Sequence, residues 1–565
     1  MSAPTRAVRH RIAPRWRFIP PAPPEAVERL STELRLPPVV ARLLARAYLR
    51  PRLDQLHRPQ RLKGLEVAVE RLVRAIRAGE IVLVHGDYDV DGICSTTILV
   101  RVLRHLGGKA IPFIPHRLTD GYDLSQSGVD AAILEGASVV VTCDCGTSAH
   151  EAIAQLTGRG IDVIVTDHHL PSQPVPECTA VLNPRQPGCE YPDKDLCAAG
   201  VVFKLAVALL ESCGSSPNVA LNLLDLVALA TVADVAPLRG ENRALVRYGL
   251  RLMAETRHPG LRALVESSGI HPGRITAGRV GFVLAPRLNA AGRVGSAMRG
   301  VELMLSTNMS DCYGIARDLE ELNRARQELD RETLDIAREM VLQLDLDETF
   351  GIALGADGWH PGVIGIVASR LVEEFCRPVM LVAFDAGHGK GSGRSIGAFD
   401  LHGGLSECRD LLVRFGGHRA AAGITIERGQ MPAFAARFNQ VARSRLTADD
   451  LVPELRIDLE LAVDDANLDL EALMRHFEPF GIGNPGPVFA VRGARLAGTP
   501  RSVGQDGLKL WLKGEQSVLE ALGWGMADRL GEFSEGDRID VAFRLERDTY
   551  GGHEKVVARI CDLRA

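Results

Sequence analysis

Three carboxylates, Asp87, Asp89 and Asp91, fall within the segment His85-Gly86-Asp87-Tyr88-Asp89-Val90-Asp91-Gly92, directly after the apolar run Ile81-Val82-Leu83-Val84. Like charges this close repel, and no fold requires the crowding. A hard divalent cation accounts for it, because it neutralises the group and prefers oxygen ligands. Two further clusters have the same form: Val139-Val140-Val141-Thr142-Cys143 runs into Asp144, and Asp162-Val163-Ile164-Val165-Thr166 runs into Asp167-His168-His169. A lone acid, Asp234, closes the apolar stretch that starts at Asp225. A two-metal site needs a bridging carboxylate, terminal carboxylates or imidazoles, and a position open to water. Its ions sit roughly 3.5–4 Å apart and stabilise the attacking and leaving oxygens of an in-line displacement. Many acids with one or two imidazoles suit Mn²⁺ or Mg²⁺ better than structural Zn²⁺. Each residue also has a plainer reading. Asp87 can cap a turn, His85 can be a packed strand-end histidine, and Asp144 can close an Asx-turn. Asp167 can orient the histidines without touching a metal, and Asp234 can be a loop acid. Cys143 and Cys145 read as small packing residues beside an oxygen-rich group.

The elements that must hold these residues are legible from hydropathy. Residues 80–185 alternate strand and helix: strands at 80–85, 109–115, 138–143 and 161–166, with helices at 93–106, near 128–134, and at 148–157. Val- and Ile-rich runs without polar alternation mark parallel strands buried on both faces, hence a doubly wound α/β domain. All three clusters fall at carboxyl ends of strands, where such sheets place their ligands. From about 197 the pattern turns helical, and 310–345 reads as one long charged helix joining two domains. A second α/β unit occupies about 348–445, with Gly-rich pieces at 358–362, 390–395 and 414–419. After about 450, short strands broken by Gly and Asp suit a small β-barrel of OB type.

At 565 residues the chain is too long for one core. Its net charge of −5 does not mark a nucleic-acid binder, but residues 1–80 hold 17 Arg/Lys against 7 Asp/Glu. A basic lobe on an acidic body could steer a polyanion toward a metal site; a solvated Arg-rich surface is the alternative. Eleven scattered cysteines, no secretory core and no run near the roughly 20 apolar residues that span a bilayer point to a cytoplasmic protein with reduced thiols and no membrane contact.

Gly86-Asp87-Tyr88-Asp89-Val90-Asp91-Gly92, Asp144-Cys145-Gly146, Asp167-His168-His169 and Ala233-Asp234-Val235 resemble, in order, the four motifs of the DHH phosphoesterase superfamily. Pro286-Arg287-Leu288-Asn289-Ala290-Ala291-Gly292-Arg293, Trp359-His360-Pro361-Gly362-Val363-Ile364-Gly365, Phe415-Gly416-Gly417-His418 and Phe480-Gly481-Ile482-Gly483-Asn484-Pro485 are similar to its single-strand-specific exonuclease branch, as is His116-Arg117 with Asp120-Gly121-Tyr122. The resemblance covers nearly everything from about residue 60 onward. Outside it stands the basic N-terminal segment (1–55); the resemblance implies a phosphoesterase domain (56–308), a connecting helix (309–346), an associated substrate-binding domain (347–447) and an OB-type nucleic-acid-binding domain (448–565).

Carried over by position, the resemblance gives one metal Asp89 and Asp144, completed by His85 or Asp87, and the other Asp91, Asp144, His168 and Asp234, with Asp144 bridging. Many members have an apolar residue where His85 stands, whereas smaller phosphatases of the superfamily use a histidine. His169, oriented by Asp167, would face the scissile phosphate. Arg117, Tyr122, Asn289 and Arg293, with Ser392, Arg394, Gly416, Gly417 and His418 from the second α/β unit, would hold the DNA and its 5′-phosphate. Arg offers forked bonds to phosphate, and glycines let backbone N–H groups come close. The implied activity is a 5′→3′ exonuclease on single-stranded DNA that uses two Mn²⁺ or Mg²⁺ ions, releases 5′-mononucleotides and acts in recombination and repair. It would work as a monomer, with a RecQ-type helicase and a single-strand-binding protein as partners. Two rivals share the fold: a phosphatase for pyrophosphate, polyphosphate or short oligoribonucleotides, and a non-catalytic replication scaffold. The first has no use for a C-terminal barrel, and the full ligand set speaks against the second.

Overall fold

The computed structural model describes residues 12–44, 51–117, 119–121, 123–171, 174–385, 387–549 and 553–565. The chain divides into two compact units, one made of 50–326 with 478–485, the other of 1–49, 327–477 and 486–565.

The first unit is built on a five-stranded, all-parallel sheet. Its spatial order is Lys109–Phe113, Ile81–Gly86, Val139–Cys143, Asp162–Thr166, Ala180–Leu182. Ile81–Gly86, Val139–Cys143 and Asp162–Thr166 are almost wholly buried, as unbroken Val/Ile runs require when helices cover both faces. From Ile81–Gly86 the chain steps first to one side and then back across to the other. The strand pair Ile81–Gly86 and Val139–Cys143 therefore marks the topological switch point, where a crevice opens at the carboxyl ends. Register aligns Gly86 with Cys143 and Cys143 with Thr166, which brings the residues after each strand, Asp87, Asp144 and Asp167, level with one another.

Helices Val90–His105, Ala198–Ser212 and Leu224–Ala233 pack together behind this crevice. Leu224–Ala233 is apolar on every side and buried almost throughout, so its exit at Asp234 is pinned by the core. The fifth strand, Ala180–Leu182, is too short to stand out in the sequence. The long helix runs Met309–Leu342, and its residues are shared between the two units.

The second unit holds a mixed five-stranded sheet in the order Arg414–Gly417, Ala421–Glu427, His388–Arg394, Val379–Asp385, Ile352–Asp357, in which only the last pair is parallel. Its C-terminal part is a closed barrel. Phe489–Leu496 pairs with Arg538–Asp548, which pairs with Lys555–Arg564, then Val518–Gly523, then Gly507–Lys513, which returns to Phe489–Leu496 through Arg495 and Leu496. Five strands in a ring leave no open edge, the OB-type solution. The strand Arg15–Phe18, read above as part of a basic segment, pairs in parallel with Glu454–Ile457. Trp16 Nε1 donates to Asp562 at 2.7 Å, so this piece of the N-terminal segment belongs to the barrel's surroundings. No helix among the described residues is long and apolar enough to cross a membrane.

Candidate metal centre

Asp89 ends its strand's turn and caps helix Val90–His105: its Oδ1 accepts the N–H groups of Asp91 (2.8 Å) and Gly92 (3.2 Å). Asp91, in the first turn, is buried and takes the N–H groups of Ala198 and Ala199 at 2.7 and 2.8 Å, one on each oxygen. Those amides open helix Ala198–Ser212, whose positive end suits a carboxylate. Gly92 is dictated by close approach: a Cβ there would lie 2.5 Å from Asp87 N and 2.6 Å from Asp87 C, closer still to its carbonyl oxygen. Asp144 sits at φ +68°, left-handed for a non-glycine residue, a conformation whose cost is ordinarily accepted at functional sites. Its backbone N–H bonds Thr166 O at 3.0 Å.

These elements bring the acids together. One ligand atom each from Asp87, Asp89 and Asp144 lie within 4.8 Å of one another, and so do atoms from Asp91, His168 and Asp234. Asp144 also forms such a group with His168 and His169. His168 Nε2 is 3.1 Å from Asp144 and 3.8 Å from Asp91, while its Nδ1 is 3.8 Å from Asp234. Burial and mutual repulsion act on the set. Burial, then Asp89, pushes Asp91 up to about 7; burial, then Asp91 and Asp89, pushes Asp234 up to about 8. Burial and neighbouring carboxylates hold Asp87 and Asp144 well above the usual range. His168 is driven down to about 3 by burial and then by His169, which keeps it neutral as a ligand must be. Asp87 Oδ1 and His168 Nε2 are buried without a hydrogen bond. A set of buried acids that oppose one another, with a neutral imidazole whose nitrogen lacks a hydrogen bond, fits hard divalent ions.

Asp167 is not in any of these groups. Its Oδ1 receives His169 Nδ1 at 2.8 Å and the His168 and His169 N–H groups at 2.7 and 3.1 Å, and its Oδ2 receives Thr147 N at 3.1 Å. Burial opposes its charge, but these bonds and the charge of His169 hold it below the usual carboxylate range. Burial also opposes charge on His169, yet its bond to Asp167 and the nearby acids raise it to about 9. His85 stands elsewhere. Its fully buried ring packs against Phe113 (5.3 Å between centroids), its Nδ1 is 3.6 Å from Cys145 Sγ, and it lies in none of the ligand groups, whereas Asp87 does. A Cβ at Gly128 would touch that ring at 2.6 Å, so His85 turns toward helix Gln126–Leu134.

A cavity of about 300 Å³ opens over the acids, lined by Asp87, Asp89, Asp144, His169 and Asp234, with Arg117, Asn289 and Arg293 facing them. Arg117 stacks on the ring of Tyr88, 4.7 Å from its centroid, and Asn289 Oδ1 accepts Val90 N–H at 3.2 Å. Gly292 lets helix Ala285–Val294 meet the Tyr88 backbone. Tyr122 lies outside the described residues. In the second unit, Ser392, Gly423 and Gly416 are neighbours across three strands. Arg394 Nη1 donates to Ser392 Oγ at 3.2 Å, Gly417 has φ +138° over Ala421 and Ala422, and His418 N–H bonds Ala421 O at 2.8 Å. The sequence reading missed the Ala198 and Ala199 amides, which no side chain announces, and Tyr88, whose place between two acids was the available signal.

The DHH family, N-terminal domain, matches residues 81–231; the DHHA1 domain matches 347–444, and the RecJ OB domain matches 457–562. Fold and family together define the class, a DHH phosphoesterase extended by DHHA1 and OB domains. The single-stranded-DNA-specific exonuclease RecJ of Dickeya dadantii is 36% identical over 561 residues, 94% of this chain and 97% of that one. The Escherichia coli exonuclease of the same name is 35% identical, covering 94% and 96%. The crystal structure of RecJ from Thermus thermophilus in complex with Mn²⁺ superposes with a TM-score of 0.82 at 35% identity, covering 98% of this chain and 79% of that one. The chain belongs to the RecJ family of single-stranded-DNA-specific exonucleases.

Proposed function

We propose that this chain hydrolyses the phosphodiester bonds of single-stranded DNA from the 5′ end, releasing 5′-mononucleotides, with two Mn²⁺ or Mg²⁺ ions held in the centre described above. The observation that carries the reading is the convergence of Asp87, Asp89 and Asp144 with Asp91, His168 and Asp234 beneath a cavity that also presents Arg117 and Arg293. Asp89, Asp144 and Asp87 would hold one ion, and Asp91, Asp144, His168 and Asp234 the other, with Asp144 shared. Asp87 is preferred to His85 because its carboxylate is in the group. When bound, the ions activate water as the nucleophile and offset charge on the attacking and leaving oxygens.

The chain's own residues do the rest. Asp89 and Asp91 are fixed by backbone N–H groups, so the acids are in position before substrate arrives. Asp167 holds His169 by a 2.8 Å bond and keeps its other ring nitrogen for a phosphate oxygen in the cavity. Arg117 and Arg293 supply charge-assisted donors to the phosphate, and Asn289 completes that wall. Ser392, Arg394, Gly416, Gly417 and His418 are assigned to the strand's terminal phosphate, which their shared sheet and the Arg394 guanidinium support. The barrel carries exposed Trp524 under Arg559 (5.3 Å) and Trp511 beside Arg501 and Lys509 (5.4 and 5.2 Å), a stacking surface for bases. A helicase and a single-strand-binding protein would supply the strand, and the cytoplasm is the compartment that fits. The test is degradation of long labelled single strands with and without Mn²⁺, beside pyrophosphate and short oligoribonucleotides. Nucleotide release from the long strand alone is expected; turnover of the small substrates alone would overturn the reading.

A further inference from the structure

Phe282 is 87% exposed, a large cost for an aromatic ring inside a structured segment. It sits in a π-helical turn, Val280–Leu284, in which Ala285 N–H reaches back five residues to Val280 O. Pro286 explains the turn. It has no N–H to give the Phe282 carbonyl, and its ring would strike that carbonyl in a regular helix; the wider turn relieves the clash. The consequence is that Phe282 is pushed outward. Seven and eleven residues further on stand Asn289 and Arg293, both lining the cavity over the acids. Phe282 lies about 10 Å from Asn289 along the axis, on the other side of the wider turn. The turn also packs beside the exit of the helix that delivers Asp234: a Cβ on Gly281 would touch Val232 at 3.4 Å. The chain neighbours of Phe282, Gly281 and Val283, are half-buried.

We propose that Phe282 is a stacking platform for one base of the single strand, a nucleotide or two from the scissile phosphate, and so a substrate-positioning residue of this site. The inference rests on the single-stranded-DNA reading above. An exposed aromatic ring two turns before a cavity-lining residue, and beside the exit of the helix that ends at Asp234, suits a base, whose π-face it can cover whatever the sequence.

The test is equilibrium binding of a labelled single strand in the Asp144→Asn background, which keeps the strand uncut, with Phe282 as wild type, Phe282→Ala, Phe282→Leu or Phe282→Trp. The ring is exposed, so none of these changes removes core packing. Phe282→Ala and Phe282→Leu should weaken binding about ten-fold, the effect of one lost base stack, and Phe282→Trp should restore it. An abasic nucleotide is then walked through the positions near the cleaved end. At the stacking position it should cost the Phe282 protein the same ten-fold and Phe282→Ala nothing. Binding as tight with Leu as with Phe, additive losses at every abasic position, or a shift in oligomeric state with Phe282→Ala would overturn the proposal. A chain with Phe282 that binds no single strand overturns both this inference and the reading beneath it.

Discussion

Replacing Gly92 by Ala should cripple the enzyme without unfolding it. Gly92 lies in the first turn of helix Val90–His105 with no positive φ, so by propensity alone Ala would be favoured by roughly 1 kcal/mol. The obstacle is steric. The new Cβ would sit 2.5–2.6 Å from the Asp87 backbone, where ordinary contact begins at 3.4 Å, so the Asp87 segment must withdraw by about 1 Å. Over-packing of this kind costs about 1–3 kcal/mol, partly offset by the helix gain. The larger effect is on geometry: Asp87 shares a ligand group with Asp89 and Asp144, and a displacement of about 1 Å at a reacting centre costs roughly a hundred-fold in rate. The assay is the initial rate of nucleotide release from a labelled single strand across a Mn²⁺ titration, beside a thermal melt. A rate within a few-fold of wild type at every Mn²⁺ concentration would refute the reasoning, because the turn would then absorb the methyl group without moving the acids.

Asp87→Asn should raise the Mn²⁺ concentration needed for activity more than His85→Gln does, since Asp87 is in a ligand group and His85 packs on Phe113; the reverse order in a metal titration would return the position to His85. Truncating Arg117 or Arg394 should reduce use of 5′-phosphorylated strands more than 5′-hydroxyl ones by about ten-fold, the lower half of a charge-assisted bond's range of about 1.5–3 kcal/mol. Equal losses on the two ends, measured as initial rates, would make these arginines general backbone contacts. Trp524→Ala should weaken strand binding by about 1–3 kcal/mol while leaving the Mn²⁺ requirement alone; unchanged affinity would remove the barrel's Trp–Arg surface from the binding path.

The parallel sheet was legible because each of its three central strands is a run of Val and Ile with an acid at its end, and burial on both faces leaves no other composition. Ala180–Leu182 escaped because three residues carry no period, and Arg15–Phe18 because its partner lies more than 400 residues away. Its alternation of Arg with Trp and Phe was the one local hint of a strand. In the site, residue type announced the acids and imidazoles, but type cannot say which way a side chain leaves its strand. His85 and Asp87 flank the same turn, and only the fold turns the His85 ring toward Gly128. The amides of Ala198 and Ala199 belong to no motif, since backbone N–H groups are common to almost every residue and only the helix start aims them at Asp91.

The central claim is that the buried acids form a two-ion centre with Asp144 shared between the ions. Calorimetric titration of Mn²⁺ into the folded wild-type chain and into Asp144→Asn, with strand degradation followed on the same samples, tests it most directly. Two ions per wild-type chain are expected, with loss of at least one site and of nearly all hydrolysis in Asp144→Asn, whose melting temperature should hold or rise because a buried charge among Asp87, Asp89, Asp91 and Asp234 is gone. A single ion on the wild type, or a variant that still binds two and degrades DNA at the wild-type rate, would contradict it.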